Sequence, residues 1–218
     1  LAIEDRERNR ARARGVMEIV VSGNSLRHHT NTLLGIKDPK ELLDFWRDVR
    51  SHLLLKLNKM SSKDRIQWYG PDMSALSFAT GRLMETWAHS QDVFDTLKKK
   101  RTNGKGLYHI AYMGVSTFTW SFIIKEMTPP RIFPRVELVG PSGEVWEWGE
   151  PNSSEKVWGS AEEFCLMVTQ RRNIRDTSLK CQGRNTEKWL SMAQAFAGAS
   201  QEPPAPGSRI IDYGKPIK

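Results

Sequence analysis

The stretch "MSALSFATGRLMETWAHSQDVFDTL", Met73 to Leu97, decides how the chain is read. Its apolar positions Phe78, Leu83, Met84, Trp87, Ala88, Val93 and Phe94 recur with a helical period, and they leave little of the circumference for solvent. Inside it, "ETWAHSQD" places Glu85, His89 and Asp92 at spacings of four and three. On an α-helix, residues four apart differ by about 40° around the axis and about 6 Å along it, so Glu85 and His89 are neighbours that one cation could bridge. Asp92 shares their stripe and could hold the imidazole in the tautomer that frees its other nitrogen. The plainer reading is an ordinary side-chain pair on a helix edge, worth a few tenths of a kcal/mol. The apolar neighbours favour the first reading, because a buried carboxylate needs a paired charge or a metal. A catalytic zinc takes three protein ligands, and His109 is the best internal candidate for the third; His52 is weaker, and His28 and His29 stay open.

Working towards the N-terminus, Asp38-Pro39 opens a helix with Asp as its cap and Pro in its first turn, and Leu42, Leu43, Trp46, Val49, Leu53 and Leu57 give it an apolar stripe suited to a bundle. Before it lies a Gly/Asn/Ser-rich loop carrying His28 and His29. From Leu1 to about Val21 the pattern is helical and strongly charged, and the start looks like the middle of a helix.

Towards the C-terminus, the basic run Lys98 to Arg101 with Asn103-Gly104 ends the central helix, as cations and Gly do at a C-terminal turn. "LYHIAYMGVSTFTWSFIIKEM" reads as one further helix stopped by Thr128-Pro129-Pro130. On it His109, Tyr112 and Ser116 form a polar stripe, open to a proton-shuttle or substrate-orienting role or to a hydrogen-bonded core histidine. Beyond the Pro pair the period changes to two: "VELVGPSGEVWEWG" reads as a β-hairpin and "EKVWG" as a third strand. Ser160 and Glu163 form a capping-box pattern ahead of "FCLMVTQRR", "DTSLKCQG" supplies another strand, and "NTEKWLSMAQAFAG" a last helix. The expected class is therefore α+β: a helical bundle over residues 1–128 and a small α/β domain with an extended tail over 129–218.

The 218 residues, 39% hydrophobic and 27% charged with eight tryptophans, suit a folded chain, and no apolar run approaches the roughly 20 residues of a membrane span. The net charge of +8 is spread out, with no helix-turn-helix, RNP or zinc-finger pattern, so it argues for small anions and against nucleic acid. Cys165 and Cys181 lie 16 apart without CxxC spacing, which points to a reduced, cytoplasmic setting.

"WYGPDMSALSFATGRLMETWAHSQDV", "YHIAYMGV", "VELVGPSGEVWEWG", "FCLMVTQRRNIRDTSL" and "WLSMAQAFAG" together resemble the DinB-like, mycothiol-dependent maleylpyruvate isomerase superfamily, in an actinobacterial-type metal-binding branch. The resemblance implies a metal-binding four-helix bundle followed by a sterol-carrier-protein-like domain. It implies Glu85 and His89 as metal ligands, and an early ligand in a His-Leu-Ala motif followed by Asp. The chain opens Leu1-Ala2-Ile3-Glu4-Asp5, so that ligand is expected just before Leu1, with Asp5 and Asp92 in support.

The chemistry so implied is a divalent-metal enzyme, zinc by its donors, acting on an acidic unsaturated small molecule as a thiol-dependent isomerase or S-transferase, with mycothiol or glutathione as the thiol. Arg171 and Arg172 are candidates to grip the substrate carboxylate, beside His109 and Tyr112. The competing readings are a thiol-independent metal-assisted lyase, hydrolase or cyclase, and a non-enzymatic metal- or ligand-binding stress protein.

Overall fold

The computed structural model describes residues 6–21, 34–35, 38–67 and 72–211, and these form two compact units, residues 1–79 and 80–218. Among the described residues the fold is mixed α+β, with seven α-helices and two small sheets. The Pro129-Pro130 segment falls inside the second unit. None of the described helices is long and apolar enough to cross a membrane.

In the first unit, α1 spans Arg6–Val21 and α2 spans Pro39–Leu57. The Asp38 side chain caps α2 by accepting from the Lys40 N–H at 2.8 Å, with Pro39 in the first turn as expected. Strands β1 (Arg65–Ile66) and β2 (Met73–Ser74) pair antiparallel, and Ile66, Ala75 and Phe78 form a small core to which Leu53, Leu57, Met60 and Met73 add. The apolar stripe of α2 departs from the bundle expectation: no residue of α2 is buried, and Leu42, Leu43, Trp46 and Val49 are all more than 40% exposed. Its C-terminal turns, through Leu53 and Leu57, pack against the small Ile66–Ala75–Phe78 core.

Helix α3, Ala75–Thr96, begins at the end of the first unit and runs into the second. The expected single helix after it is two, α4 (Leu107–Ser116) and α5 (Phe118–Ile123). The break falls at Thr117, whose Oγ1 donates to the carbonyls of Met113 and Gly114 at 2.9 and 3.0 Å, a local bond that competes with the helical ladder. The chain leaves α5 before the Pro pair, through Glu126 at φ +57° and a bond from the Met127 N–H to the Phe122 carbonyl.

The second sheet has the order β4-β3-β5-β6: β3 Arg135–Val139, β4 Val145–Trp148, β5 Lys156–Ser160 and β6 Lys180–Gln182. The β3–β4 hairpin and the third strand are where the alternation placed them, and β5 runs parallel to β3. Val136, Leu138 and Val157 face one side, onto which α4, α6 (Ala161–Val168) and α7 (Arg184–Leu190) bring Ile110, Ala111, Phe164, Val168 and Trp189. Fully burying such side chains is worth about 1.5–3 kcal/mol each. Gly114 lets α4 and α6 approach: a Cβ there would stand 2.7 Å from Val168 Cγ2 and 3.0 Å from Phe164 Cε1.

The capping box expected at α6 does not form. Ser160 occupies the cap position without a side-chain hydrogen bond, and Glu163 instead accepts from the Ser178 N–H at 3.1 Å. The start of α7 is satisfied from a distance: Glu155 accepts from the Thr186 N–H and hydroxyl at 2.7 and 2.8 Å and from the Asn185 side chain at 3.0 Å. Arg171, Arg172 and the Glu85–Asp92 stretch of α3 all fall within the second unit.

Candidate functional site

Helix α3 sets Glu85, His89 and Asp92 on one face, as their spacing predicts. His89 Nε2 lies 3.5 Å from Glu85 Oε2, and His89 Nδ1 lies 3.6 Å from Asp92 Oδ2. The buried setting inferred from their neighbours is not found: the His89 side chain is 71% exposed and the two carboxylates are about one-third exposed. The apolar neighbours account for the difference, since Trp87 and Ala88 face inward while Leu83 and Val93 lie on the open side with His89.

Two arginines close on this face. Gln170 leaves α6 with φ +56° and turns the chain so that Arg171 reaches α3, where Nε donates to the Ala88 carbonyl at 3.2 Å. Arg171 NH2 stands 3.1 Å from Asp92 Oδ2 and 3.3 Å from His89 Nδ1. Arg209, from the C-terminal segment, forms a close ion pair with Asp92 Oδ1 and donates to the Gln170 carbonyl at 3.4 Å. A guanidinium can only donate, so its approach makes Nδ1 the acceptor and leaves the ring proton on Nε2, towards Glu85.

One residue on, Arg172 turns inward. Its NH1 and NH2 bind Asp95 bidentately at 2.7 and 2.8 Å, and Gln91 Nε2 also donates to Asp95 at 2.8 Å. Burial pushes the Asp95 carboxyl up, but the hydrogen bonds from Arg172 and Gln91 and the charges of Arg172 and Arg209 outweigh it, and the group sits below its ordinary range. Arg172 is thus engaged with Asp95, while Arg171 joins the Glu85–His89–Asp92 face. The sequence reading missed Asp95, Gln91 and Arg209. The first two had a signal: Trp87, Ala88, Gln91 and Asp95 fall on one helical face, and a Gln–Asp pair four apart on an apolar face marks a buried polar cluster.

The remaining candidates stand elsewhere. His109 is exposed on α4, edge-on to Tyr108 at 5.7 Å, so it is not a core histidine. Tyr112 is 51% exposed, and no hydrogen bond or ion pair among the described residues joins either to the Glu85–His89–Asp92 face. His52 lies on α2 against Asp48 of the same helix. Asp5, His28 and His29 lie outside the described residues. Among the described residues no three His, Cys, Asp or Glu side chains are grouped to hold a metal. The donors on α3 fit a cation in part: Glu85 and His89 converge, while Asp92 is occupied by Arg171 and Arg209. The chain's own thiols are poorly placed as nucleophiles, because burial first, and the charges of Glu162 and Glu187 second, push Cys165 well above its ordinary value and Cys181 upward.

Residues 6–94 match the model of the mycothiol maleylpyruvate isomerase N-terminal domain, the segment that carries Glu85, His89 and Asp92. Two proteins of Mycobacterium tuberculosis, from strains CDC 1551 / Oshkosh and ATCC 25618 / H37Rv and both described as uncharacterized, are 45% identical over 167 residues, 77% of this chain. The match covers 65% of the length of those relatives. No solved structure matches the chain.

Proposed function

Since the chain belongs, through residues 6–94, to the DinB-like, maleylpyruvate isomerase-like family, we propose that it works in a mycothiol-related enzyme whose site is the Glu85–His89–Asp92 face of α3. The observation that supports this reading is the open His89 ring between two carboxylates, with the Arg171 guanidinium 3.3 Å from Nδ1. Arg171 and Arg209 supply donors at the rim for an acidic substrate, since a planar guanidinium can exchange one carboxylate partner for another. Buried Cys165 and raised Cys181 leave the thiol to be brought in as a small molecule, mycothiol or glutathione.

The reaction proposed is isomerisation of an acidic unsaturated molecule by addition and later expulsion of that thiol, or transfer of its sulfur onto the molecule. Glu85 and His89 would be two ligands of a divalent cation, zinc by donor type, with a further ligand from outside the described residues. Such an ion supplies Lewis acidity that lowers the pKa of a bound thiol. The sterol-carrier-like character of the second half remains part of this proposal.

Two measurements test it. Zinc titrated into the metal-free chain should bind stoichiometrically in calorimetry and lose at least about tenfold in affinity in Glu85→Gln and His89→Ala. Turnover of maleylpyruvate should require added mycothiol or glutathione, and Arg171→Ala should raise KM more than it lowers kcat. Zinc binding that is indifferent to both ligand variants, together with no thiol-dependent turnover, would sink the proposal. Turnover that persists without any thiol would replace it with metal-assisted lyase or hydrolase chemistry.

A further inference from the structure

A second cation-rich place lies within the second unit and shares no residue with the Glu85–His89–Asp92 face. A cleft of about 370 Å³ is lined by Lys100, Arg101, Asn103, Pro141, Ser160 and Glu162 among others. Arg101 is half-buried: its guanidinium lies over the Trp87 ring at 4.9 Å, near Phe94 at 5.6 Å, and NH1 donates to the Trp87 carbonyl at 2.7 Å. Neither Arg101 nor Lys100 forms an ion pair among the described residues. A guanidinium withdrawn from water without a carboxylate partner is costly, and here burial draws Arg101 below its ordinary range while Glu162 only partly offsets the effect.

A second observation is independent of the charge. The Trp87 indole Nε1 donates to Asn103 Oδ1 at 2.8 Å. An indole N–H cannot accept, so this bond fixes which way the amide points. Its Nδ2 is then left buried with no hydrogen-bond partner among the described residues. Such an orphan donor is costly, and an acceptor entering beside it removes that cost. Ser160, which leaves the start of α6 without a side-chain cap, lines the same cleft.

We propose that this cleft binds the oxyanion, a phosphate or a carboxylate, of a small hydroxylated molecule. Lys100 and Arg101 supply the counter-charge, Asn103 Nδ2 turns about its fixed Oδ1 contact to donate to the oxyanion, and Glu162 accepts from a hydroxyl of the same molecule. The Glu162 contact gives selectivity, because a hydroxyl carried on carbon can pair with Glu162 while the oxyanion stays on Lys100 and Arg101, whereas inorganic phosphate has only its own P–OH to offer and brings its full charge towards the carboxylate.

The Trp87 indole N–H, bonded to Asn103 and covered by Arg101, is a built-in reporter. Its ¹⁵N–¹H resonance in the full chain is identified by its loss in Trp87→Phe. Glucose 6-phosphate, malate, inorganic phosphate and glucose are titrated at constant ionic strength set with sodium chloride. The expected result is a saturable shift with glucose 6-phosphate or malate, weaker by about fivefold or more with inorganic phosphate and absent with glucose; which of the first two is tighter identifies phosphate or carboxylate as the group held. Lys100→Glu, at an exposed position, should weaken binding at least about tenfold. Asn103→Asp, which keeps the acceptor for Trp87 and removes the donor, should abolish it. Non-saturating shifts with every probe, or titrations of both variants that overlay the parent's, would overturn the proposal.

Discussion

Asp92 and Asp95 stand three residues apart on α3, and each is held by one of two consecutive arginines, yet their surroundings differ. Asp95 is 8% exposed, gripped bidentately by Arg172 and steadied by Gln91. Asp92 is about one-third exposed and shared between Arg171 and Arg209, with the open His89 ring beside it. In the buried pair each charge depends on the other, because neither can recover water if its partner is lost. In the outer group Arg171 is only 13% exposed, but Asp92 and His89 face solvent, so water can replace a partner lost there and a ligand can reach that face. A single helix thus carries one buried ion pair that ties it to the segment after α6 and one set of charges that solvent reaches.

The largest effect expected from this contrast is on stability. Arg172→Ala or Asp95→Ala strands a buried charge and should cost about 3–5 kcal/mol in thermal or denaturant unfolding. Asp92→Ala should cost less, about 1 kcal/mol, because Arg171 keeps the Ala88 and Thr169 carbonyls as acceptors. Equal losses in the two aspartate variants would break the distinction between the inner and outer groups.

Acid should read the same difference. The folded-state carboxyl of Asp95 lies below its ordinary 3.8, so the folded protein holds the charged form more tightly than the unfolded chain does. Its contribution is therefore present in full above about pH 4 and is lost as pH falls through the lower, folded-state value. Asp95→Asn should be less stable than the parent near neutrality and should lose less stability on acidification below about pH 4; parallel stability curves in that range would count against the buried pair. A smaller packing effect separates backbone approach from charge: Gly114→Ala, whose methyl meets Val168 and Phe164, should cost about 1–3 kcal/mol with no dependence on pH.

Much of this architecture was legible in the residues because local rules agreed with one another. Asp38-Pro39 started its helix, the alternation around Pro141-Ser142-Gly143 gave the hairpin, and the 85–89–92 spacing brought the three polar side chains together. What failed was what depends on distant chain. His89 is exposed because the helix faces its packing partners with Trp87 and Ala88, and no pattern within "ETWAHSQD" says which side those partners occupy. The break at Thr117 turns on a side chain choosing its own backbone, and the cap at α6 on Glu163 finding Ser178 instead of the helix start. Arg209 reaches Asp92 across 117 positions of sequence, a contact that no local signal announces.

The smallest effect concerns a single proton. With the Arg171 guanidinium 3.3 Å from His89 Nδ1, the neutral ring keeps its hydrogen on Nε2, facing Glu85. Removing the guanidinium in Arg171→Met lets Nδ1–H turn to Asp92, which lies 3.6 Å away and then loses one of its competing donors. The ring ¹⁵N shifts of His89 in its neutral form should exchange their protonated and unprotonated positions. Because a cation at Glu85 needs the Nε2 lone pair, the same variant should bind zinc more tightly than the parent, by about tenfold. If the tautomer stays on Nε2 in Arg171→Met, the proton is held by Glu85 and Arg171 has no part in setting it.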